Sequence, residues 1–348
     1  MRSTRSPLCA LLLLALAACG DRLKEPESTL VGQDSGADSL YGATAAENLR
    51  VVPVEVEVPG LPEAFDGMRV AALSDFQLGL WEDNARVAEA AVRRAIALRP
   101  DVVVLLGDYV ARGDRLDELG RVLAPLRGRT VMAVLGDRDK RDPGDGPSSE
   151  PDSAAIRLRQ VLHDNGIVVL ENERGRVVRG SDTIYIAGID PFVPRRPAWR
   201  QAEIFSAIPR AGSTPILLSH LPAGVLAAPD SAYPLVLAGN TFCGRVEVPG
   251  SPRLSWVNSE QLPGGRIPGE DRLYRVDGNG LFITCGVGYS FVPVRLGAPP
   301  EVALVTLRRP ASEAAEEAPA AARPSIDSLL QVYGQQTDSA APPDTTGG

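Results

Sequence analysis

The sequence predicts a mixed α/β protein built on a largely parallel sheet, and three observations carry that prediction. Short apolar runs alternate with segments of helical periodicity. Polar residues follow the ends of those apolar runs at several places along the chain. The chain has 348 residues, of which 44% are hydrophobic, and this length and composition are sufficient for a large buried core.

The first elements form a strand–helix–strand unit. Residues 51–58 alternate as VVPVEVEV, which is typical of a half-buried strand, and residues 69–73 (RVAAL) predict a short second strand. A helix follows, with Asp83 or Asn84 as its N-cap and with Pro100 beyond its end. Residues 102–106 are then a fully apolar run, which predicts a buried strand parallel to the second.

The same pattern continues along the chain. A helix is predicted near residues 115–126 and a strand at residues 130–135. Further apolar runs predict strands at residues 184–187, 216–218, 235–238, 281–284 and 301–307.

Five polar residues lie one to three positions past these apolar runs: Asp75, Asp108, Asp137, His220 and Asn240. One aspartate in that place is commonly a helix cap. Five polar residues placed alike, in a chain with only two histidines, favour a site instead. Functional groups in open α/β sheets gather beyond the carboxyl ends of strands, so we expect these side chains to converge.

The two ends of the chain differ from this body. Residues 1–18 have a positive start and a short apolar run, and they predict a signal peptide. The Leu-Ala-Ala-Cys sequence that ends at Cys19 resembles a bacterial lipobox, which implies lipidation of Cys19; the alternative is an ordinary secretory signal. Residues 19–49 predict a flexible tether, residues 50–308 the folded domain, and residues 309–348 a disordered Ala/Pro-rich tail.

The net charge and the predicted lipidation signal restrict the kinds of partner that this protein could bind. Thirty-six basic residues stand against 44 acidic ones, giving a net charge of −8, which argues against nucleic acid as a partner. An acylated Cys19 would hold the protein on a membrane surface without crossing it. We therefore expect an exported lipoprotein of the bacterial cell envelope, and we leave the identity of any protein or envelope ligand open.

The polar positions belong to ordered sequence blocks: Ser74-Asp75-Phe76-Gln77, Gly107-Asp108, Gly136-Asp137-Arg138-Asp139, Ser219-His220 and Gly239-Asn240-Thr241-Phe242-Cys243-Gly244. This series resembles the calcineurin-like metallophosphoesterases, whose blocks read D-x-H, G-D, G-N-H-D, a lone H and G-H-T-H-G-G. The bacterial membrane-associated phosphodiesterases are the most similar subgroup. The resemblance implies a four-layer α/β/β/α metallophosphoesterase sandwich over the predicted domain.

The resemblance also implies a pair of divalent metals that share one aspartate and act on a phosphate ester. Asp75 matches an aspartate ligand of the first metal, and Asp108 matches the shared aspartate. His220 matches a histidine ligand of the second metal. Asp137 stands at the position of an asparagine ligand and can still coordinate.

Besides Asp137, four positions depart from the pattern of the family. Gln77 and Asn240 replace histidine ligands and would coordinate weakly, whereas Phe242 replaces a histidine and cannot coordinate. Arg138 replaces the histidine that is expected to protonate the leaving group, and arginine stays charged near neutral pH. The resemblance therefore implies a partial site that holds one metal ion at most.

We expect a degenerate member of the family, with lost or reduced phosphoester hydrolysis, that acts by binding at the former active-site cleft. The alternatives are an active single-metal phosphodiesterase or phosphatase on envelope substrates, and a structural envelope tether. Asp75, Asp108, Asp137 and Asp139 should repel one another. We therefore predict a contact between the Arg138 guanidinium and a carboxylate, or one hard ion among them.

The resemblance places two cysteines at the border of the cleft. Cys243 lies in the loop that replaces G-H-T-H-G-G, and Cys285 lies at the end of a late strand. A disulfide between them is expected if they are close in an oxidising compartment. The alternative is two separately buried thiols.

Overall fold

A computed structural model describes residues 48–111, 115–140, 152–208, 213–244, 273–291, 293, 295 and 297–311. The predicted signal peptide, Cys19, most of the predicted tether and the tail beyond residue 311 lie outside the described residues. Within the described ranges, no helix combines the length and the apolar character that a membrane span requires.

The first of two six-stranded sheets contains the predicted strand–helix–strand unit. Its strands are β1 (Arg50–Glu57), β2 (Arg69–Leu73), β3 (Val102–Leu105), β4 (Val131–Ala133), β5 (Val168–Val169) and β12 (Glu301–Arg308). Their order in the sheet is β1-β12-β2-β3-β4-β5. The strands β2 to β5 are parallel neighbours, and β12 runs antiparallel to β2.

The second sheet is formed by the later part of the chain. Its strands are β6 (Glu173–Arg179), β7 (Asp182–Gly188), β8 (Ser213–Leu218), β9 (Leu235–Ala238), β10 (Leu273–Val276) and β11 (Asn279–Ile283). The order is β10-β11-β9-β8-β7-β6. The four central strands are parallel, and the outer strands β6 and β10 pair antiparallel with their neighbours.

Five α-helices accompany the sheets in the described ranges: α1 (Asp83–Ala97), α2 (Leu116–Leu123), α3 (Ser153–Asp164), α4 (Ala198–Ala207) and α5 (Gly224–Ala227). The predicted N-cap of α1 is wrong, because Glu82 precedes the helix and Asp83 and Asn84 lie inside it. The helix predicted at residues 115–126 is divided. It ends at Leu123 and continues as a 3-10 turn that contains Pro125, which has no N–H for an α-helical bond.

Apolar side chains on both faces of each sheet produce four layers. In β2, Val70 and Ala72 face the core between the sheets, whereas Ala71 and Leu73 face the helices α1 to α3. The outer face of the second sheet packs against α4 and α5, for example through Phe205. Burial of these faces removes apolar surface from water and holds the layers together. The predicted α/β/β/α order is confirmed.

Candidate functional site

The predicted site residues follow the carboxyl ends of strands from both sheets. Asp75, Asp108 and Asp137 follow β2, β3 and β4 of the first sheet, and His220 and Asn240 follow β8 and β9 of the second. Because the carboxyl ends of these parallel strands open at the same edge, the two sheets contribute to one cleft.

The backbone of this cleft is held in an unusual conformation. Five site residues have left-handed φ angles between 51° and 65°: Asp75, Gln77, Asp108, Asn240 and Phe242. Residues other than glycine adopt this region rarely, and such strain persists only where the surroundings enforce it. Their clustering at one cleft indicates that the backbone holds these side chains in fixed positions there.

Close packing fixes the carboxylate of Asp108, the aspartate that the resemblance implies is shared by two metals. A Cβ atom at Gly136 would lie 2.1 Å from Asp108 Oδ1, so only glycine fits there. Asp139 then accepts hydrogen bonds from the backbone N–H groups of Asp108 at 2.7 Å, Tyr109 at 3.0 Å and Gly136 at 2.7 Å. Burial, followed by the charge of Asp108, raises the pKa of Asp139 to about 7. Asp139 therefore supports the loops of the site.

His220 is buried between the two sheets. Its Nδ1 lies 2.7 Å from the Leu106 carbonyl oxygen, so Nδ1–H donates there. The opposite atom, Nε2, faces Asp108 Oδ1 at 3.4 Å and Asp137 Oδ1 at 3.5 Å. Burial would lower the pKa of His220, but the charge of Asp108, the contact with Asp137 and the charge of Asp75 raise it to about 10. This orientation is the one that histidine ligands of metals adopt.

The carboxylate of Asp75 is also buried. Its Oδ2 accepts hydrogen bonds from Ser74 Oγ at 2.6 Å and from the Asn240 backbone N–H at 3.0 Å. Burial is the main cause that raises the pKa of Asp75 to about 6. At Asp137 burial also acts to raise the pKa, but the contact with His220 and its charge outweigh it, so this pKa is lowered.

Three buried polar atoms of this cluster have no hydrogen-bond partner among the residues that the structure describes. They are Asp75 Oδ1, Asp137 Oδ1 and His220 Nε2. Ligand atoms of Asp75, Asp108 and His220 lie within 4.8 Å of one another. Buried polar atoms without partners are rare and are typical of an ion site. Carboxylate oxygens and one imidazole suit a divalent cation such as Mn²⁺ or Zn²⁺, so these residues fit one metal.

Gln77 and Arg138 stand where the resemblance implies histidines, and the structure joins both of them to Asp108. Gln77 Nε2 donates to Asp108 Oδ2 at 2.6 Å, and Gln77 Oε1 accepts from Arg138 Nη1 at 3.1 Å. Arg138 Nε lies 3.5 Å from Asp108 Oδ2, and the guanidinium lies 4.5 Å from the ring centre of Phe291. The contact predicted between Arg138 and a carboxylate is therefore present.

The two remaining departures from the family pattern, Asn240 and Phe242, lie in the loop after β9. The Phe242 side chain is 2% exposed, and the Arg295 guanidinium lies 5.4 Å from its ring centre. Asn240 reaches Asp75 through its backbone N–H. The structure joins Cys243 and Cys285 in a disulfide with Cα atoms 4.7 Å apart, so the loop that carries Asn240 and Phe242 is tied to the end of β11.

Residues 68–243, about half of the chain, match the family model described as calcineurin-like phosphoesterase. The chain belongs to the calcineurin-like phosphoesterase family. This confirms the resemblance and the sandwich fold that it implied. The family is metal-dependent, and the structure brings together a possible metal-binding group of Asp75, Asp108 and His220.

Relatives within the family are moderately similar. The chain is 29% identical over 287 residues to a transmembrane protein with metallophosphoesterase domain from Danio rerio, covering 78% of this chain and 60% of that protein. It is 25% identical to the Bacillus subtilis (strain 168) metallophosphoesterase YkoQ, covering 70% of this chain and 84% of the relative. The structure of phosphopantetheinyl hydrolase from Mycobacterium tuberculosis has 16% identity and a TM-score of 0.37, covering 65% of this chain and 91% of that one.

Several residues that support this calcineurin-like cleft were not predicted from the sequence. Asn84 of α1 donates to the carbonyl oxygens of Gln77 and Tyr289 and accepts from the Tyr289 N–H, which joins two loops of the site. Arg195 Nη2 lies 3.4 Å from Asp137 Oδ2. Lys140 contacts the carboxylates of Glu171 and Asp190. The sequence places Asn84 at the start of a predicted helix, where an asparagine often bonds to backbone groups, but the contacts of Arg195 and Lys140 depend on the tertiary fold.

Proposed function

We propose that this protein binds phosphoester ligands in a cleft with one divalent cation and one guanidinium, and that it has lost ordinary two-metal hydrolysis. The cation would be held by Asp75, Asp108, Asp137 and His220. The guanidinium is that of Arg138, which stands where the resemblance implies the histidine that protonates the leaving group. It would supply a positive charge toward the ligand instead of a proton.

The observation that carries this proposal is the chain of contacts from Asp108 through Gln77 to Arg138. Both ends of the Gln77 amide are engaged within the protein, so its oxygen is not free to coordinate. Arg138 places a permanent positive charge beside the first metal position, which disfavours a second cation there. Phe242 removes a further ligand from the same position.

The remaining groups are suited to hold an anion. A cation at the Asp108–His220 cluster would supply positive charge toward a phosphate. Arg138 is 31% exposed and can donate to a phosphate oxygen from the cleft wall. Arginine remains protonated, so it cannot act as the general acid for a leaving group.

Metal analysis of the purified protein, with any tag removed and Mn²⁺ supplied, tests the proposal. We expect one ion per chain and no saturable turnover of bis(p-nitrophenyl) phosphate. Inorganic phosphate should bind more tightly with the metal than without it, and the substitution Arg138→Gln should weaken that binding about tenfold, the effect of losing one charge-assisted hydrogen bond.

The two histidines of the chain provide a matched pair of variants. His220→Ala should abolish metal binding, whereas His163→Ala, an exposed change on α3, should leave it intact. Two ions per chain, or metal-dependent saturation kinetics in the unaltered protein, would contradict the proposal and support the active single-metal or two-metal enzyme. No bound ion at saturating Mn²⁺ would contradict the cation site itself.

We further propose that the protein is exported and anchored to the envelope membrane through acylated Cys19. The support is the lipobox-like sequence alone. The full-length protein should partition into the detergent phase of Triton X-114, and Cys19→Ser should remain in the aqueous phase. Cys9→Ser is the matched control, and equal partitioning of the Cys19 variant would contradict the anchor.

A further inference from the structure

A second concave site lies beside α4 and the turn that precedes it. It is a cavity of about 480 Å³ whose lining includes Asn172, Val193, Arg196, Trp199, Arg200 and Ile204. This volume is within the range of small-molecule sites in proteins. None of these residues belongs to the cation cluster.

The cavity adjoins the cleft through shared elements. Arg196 lines the cavity, while its neighbour Arg195 contacts Asp137 at 3.4 Å. Asp190 also lines the cavity, but its carboxylate is engaged by Lys140 and by the Phe192 N–H at 2.8 Å. The one acidic group in the lining is therefore neutralised from within the protein.

The other polar groups of the lining are hydrogen-bond donors. Asn172 Oδ1 accepts from the Asp190 N–H at 3.1 Å, which leaves the Asn172 amide nitrogen as a donor. Arg200 pairs with Glu203 at 2.6 Å and keeps further N–H groups. Arg196 forms no ion pair with any residue in the described part of the chain. A lining of donors with one unpaired guanidinium favours an anionic group.

The aromatic part of the lining is unusually exposed. Trp199 at the start of α4 is 69% exposed, although tryptophan is largely buried on average. Val193 and Ile204 add apolar surface beside it. An exposed indole in a concave site is suited to stack on a planar ring, and guanidinium groups beside it hold a phosphate.

We propose that this cavity binds a nucleotide, with its base against Trp199 and its phosphate on Arg196. The combination of a stacking surface, a guanidinium without an ion pair among the described residues and an amide donor matches the three parts of a nucleoside monophosphate. The site is independent of the metal, because none of its lining residues is a ligand of the cation cluster.

Isothermal titration of the full chain with adenosine 5′-monophosphate in the presence of EDTA tests this inference. We expect saturable binding that is at least tenfold weaker in Trp199→Ala and in Arg196→Ala. Arg94→Ala, an exposed change on α1, is the matched control and should bind as the unaltered protein does. Adenosine and ribose 5-phosphate should each bind more weakly than the nucleotide, because each lacks one of the recognised parts.

Absence of saturable binding, or equal affinity in the unaltered protein and the two cavity variants, would overturn the inference. Adenosine binding as tightly as the nucleotide would overturn the role of Arg196. Because metal is removed in this titration, its result does not depend on the metal count that tests the proposed function.

Discussion

Arg138 illustrates how single side chains change a cleft whose backbone is retained. The loops after β2, β3 and β9 keep left-handed residues at Asp75, Asp108 and Asn240, so the frame for metal ligands is present. The side chains on that frame differ from the family pattern, because Gln77 and Arg138 contact each other and Asp108 at positions where the resemblance implies histidines. Restoring one ligand therefore leaves the others unsuited.

The substitution Phe242→His tests this argument at one residue. We expect no gain of phosphodiester hydrolysis, because Gln77 remains engaged with Asp108 and Arg138 remains charged. Burying an imidazole without a partner should lower the free energy of unfolding by about 1–3 kcal/mol. Urea denaturation and turnover of bis(p-nitrophenyl) phosphate are the measurements.

Ile156→His is the matched control, since Ile156 is 54% exposed on α3, away from the cleft residues, and should tolerate histidine without loss of stability. Simultaneous change of Gln77, Arg138, Asn240 and Phe242 to histidine supplies the missing ligands and acid. Metal-dependent turnover by Phe242→His alone would show that the first metal position is still usable.

At the scale of elements, the central strands were predictable and the edges were not. The strands β2 and β9 match the predicted bounds, because fully apolar runs indicate buried parallel strands. The edge strand β6 alternates between buried and exposed residues, and β5 has only two residues within a short apolar stretch, so neither was predicted. Helix α4 buries only Phe205, so its helical periodicity is weak and the cavity beside Trp199 was not predicted.

Part of the site could also be predicted from the sequence, because apolar runs mark the ends of buried strands. Asp75, Asp108 and His220 were identified because they directly follow apolar runs, and the structure brings them together. The position of β12 between β1 and β2 cannot be derived from local patterns, because it pairs residues more than 200 positions apart. The contact of Arg195 with Asp137 depends on the same long-range packing.

The ion network at the start of the second sheet gives a prediction for pH. Burial acts to raise the pKa of Glu171, but contacts with Arg159 and Lys140 outweigh it and lower the pKa to about 2 from 4.5. Its ionised form therefore stabilises the fold at pH above 4.5, and this contribution is lost as the pH falls toward 2.

Glu171→Gln should lower the free energy of unfolding at pH 7 by about 1.5–3 kcal/mol, the contribution of hydrogen bonds to charged groups. The difference from the unaltered protein should shrink as the pH falls from 4.5 to 2. Glu173→Gln, at the exposed first residue of β6, is the control and should have little effect at either pH. A Glu171 variant whose loss is constant across this range would contradict the electrostatic cause.

The disulfide of the cleft loop gives a prediction for redox conditions. Thiol titration of denatured, unreduced protein that lacks residues 1–19 should find no free thiol, because Cys243 and Cys285 are joined. Cys285→Ser should lower the free energy of unfolding by about 2–4 kcal/mol, because the bond closes a loop between residues 42 positions apart. Two free thiols per chain would exclude the bond.

At the scale of the whole molecule, the proposed cation site joins the two sheets. Asp108 and Asp137 come from the first sheet and His220 from the second. A cation held by all three would link the sheets at one edge and would relieve the repulsion among buried carboxylates. Binding to the folded state alone stabilises a protein by mass action, so occupancy should be visible as global stability.

Thermal unfolding with and without Mn²⁺ measures this link. At a free metal concentration 100 times the dissociation constant, the expected gain is about 2.7 kcal/mol. For a folded body of this size, that gain corresponds to a rise in Tm of roughly 5–10 °C. His220→Ala should abolish the rise, and His163→Ala, exposed on α3, should retain it. A rise of equal size in both variants would mean that the metal acts elsewhere, because only His220 lies between the sheets at the cation cluster.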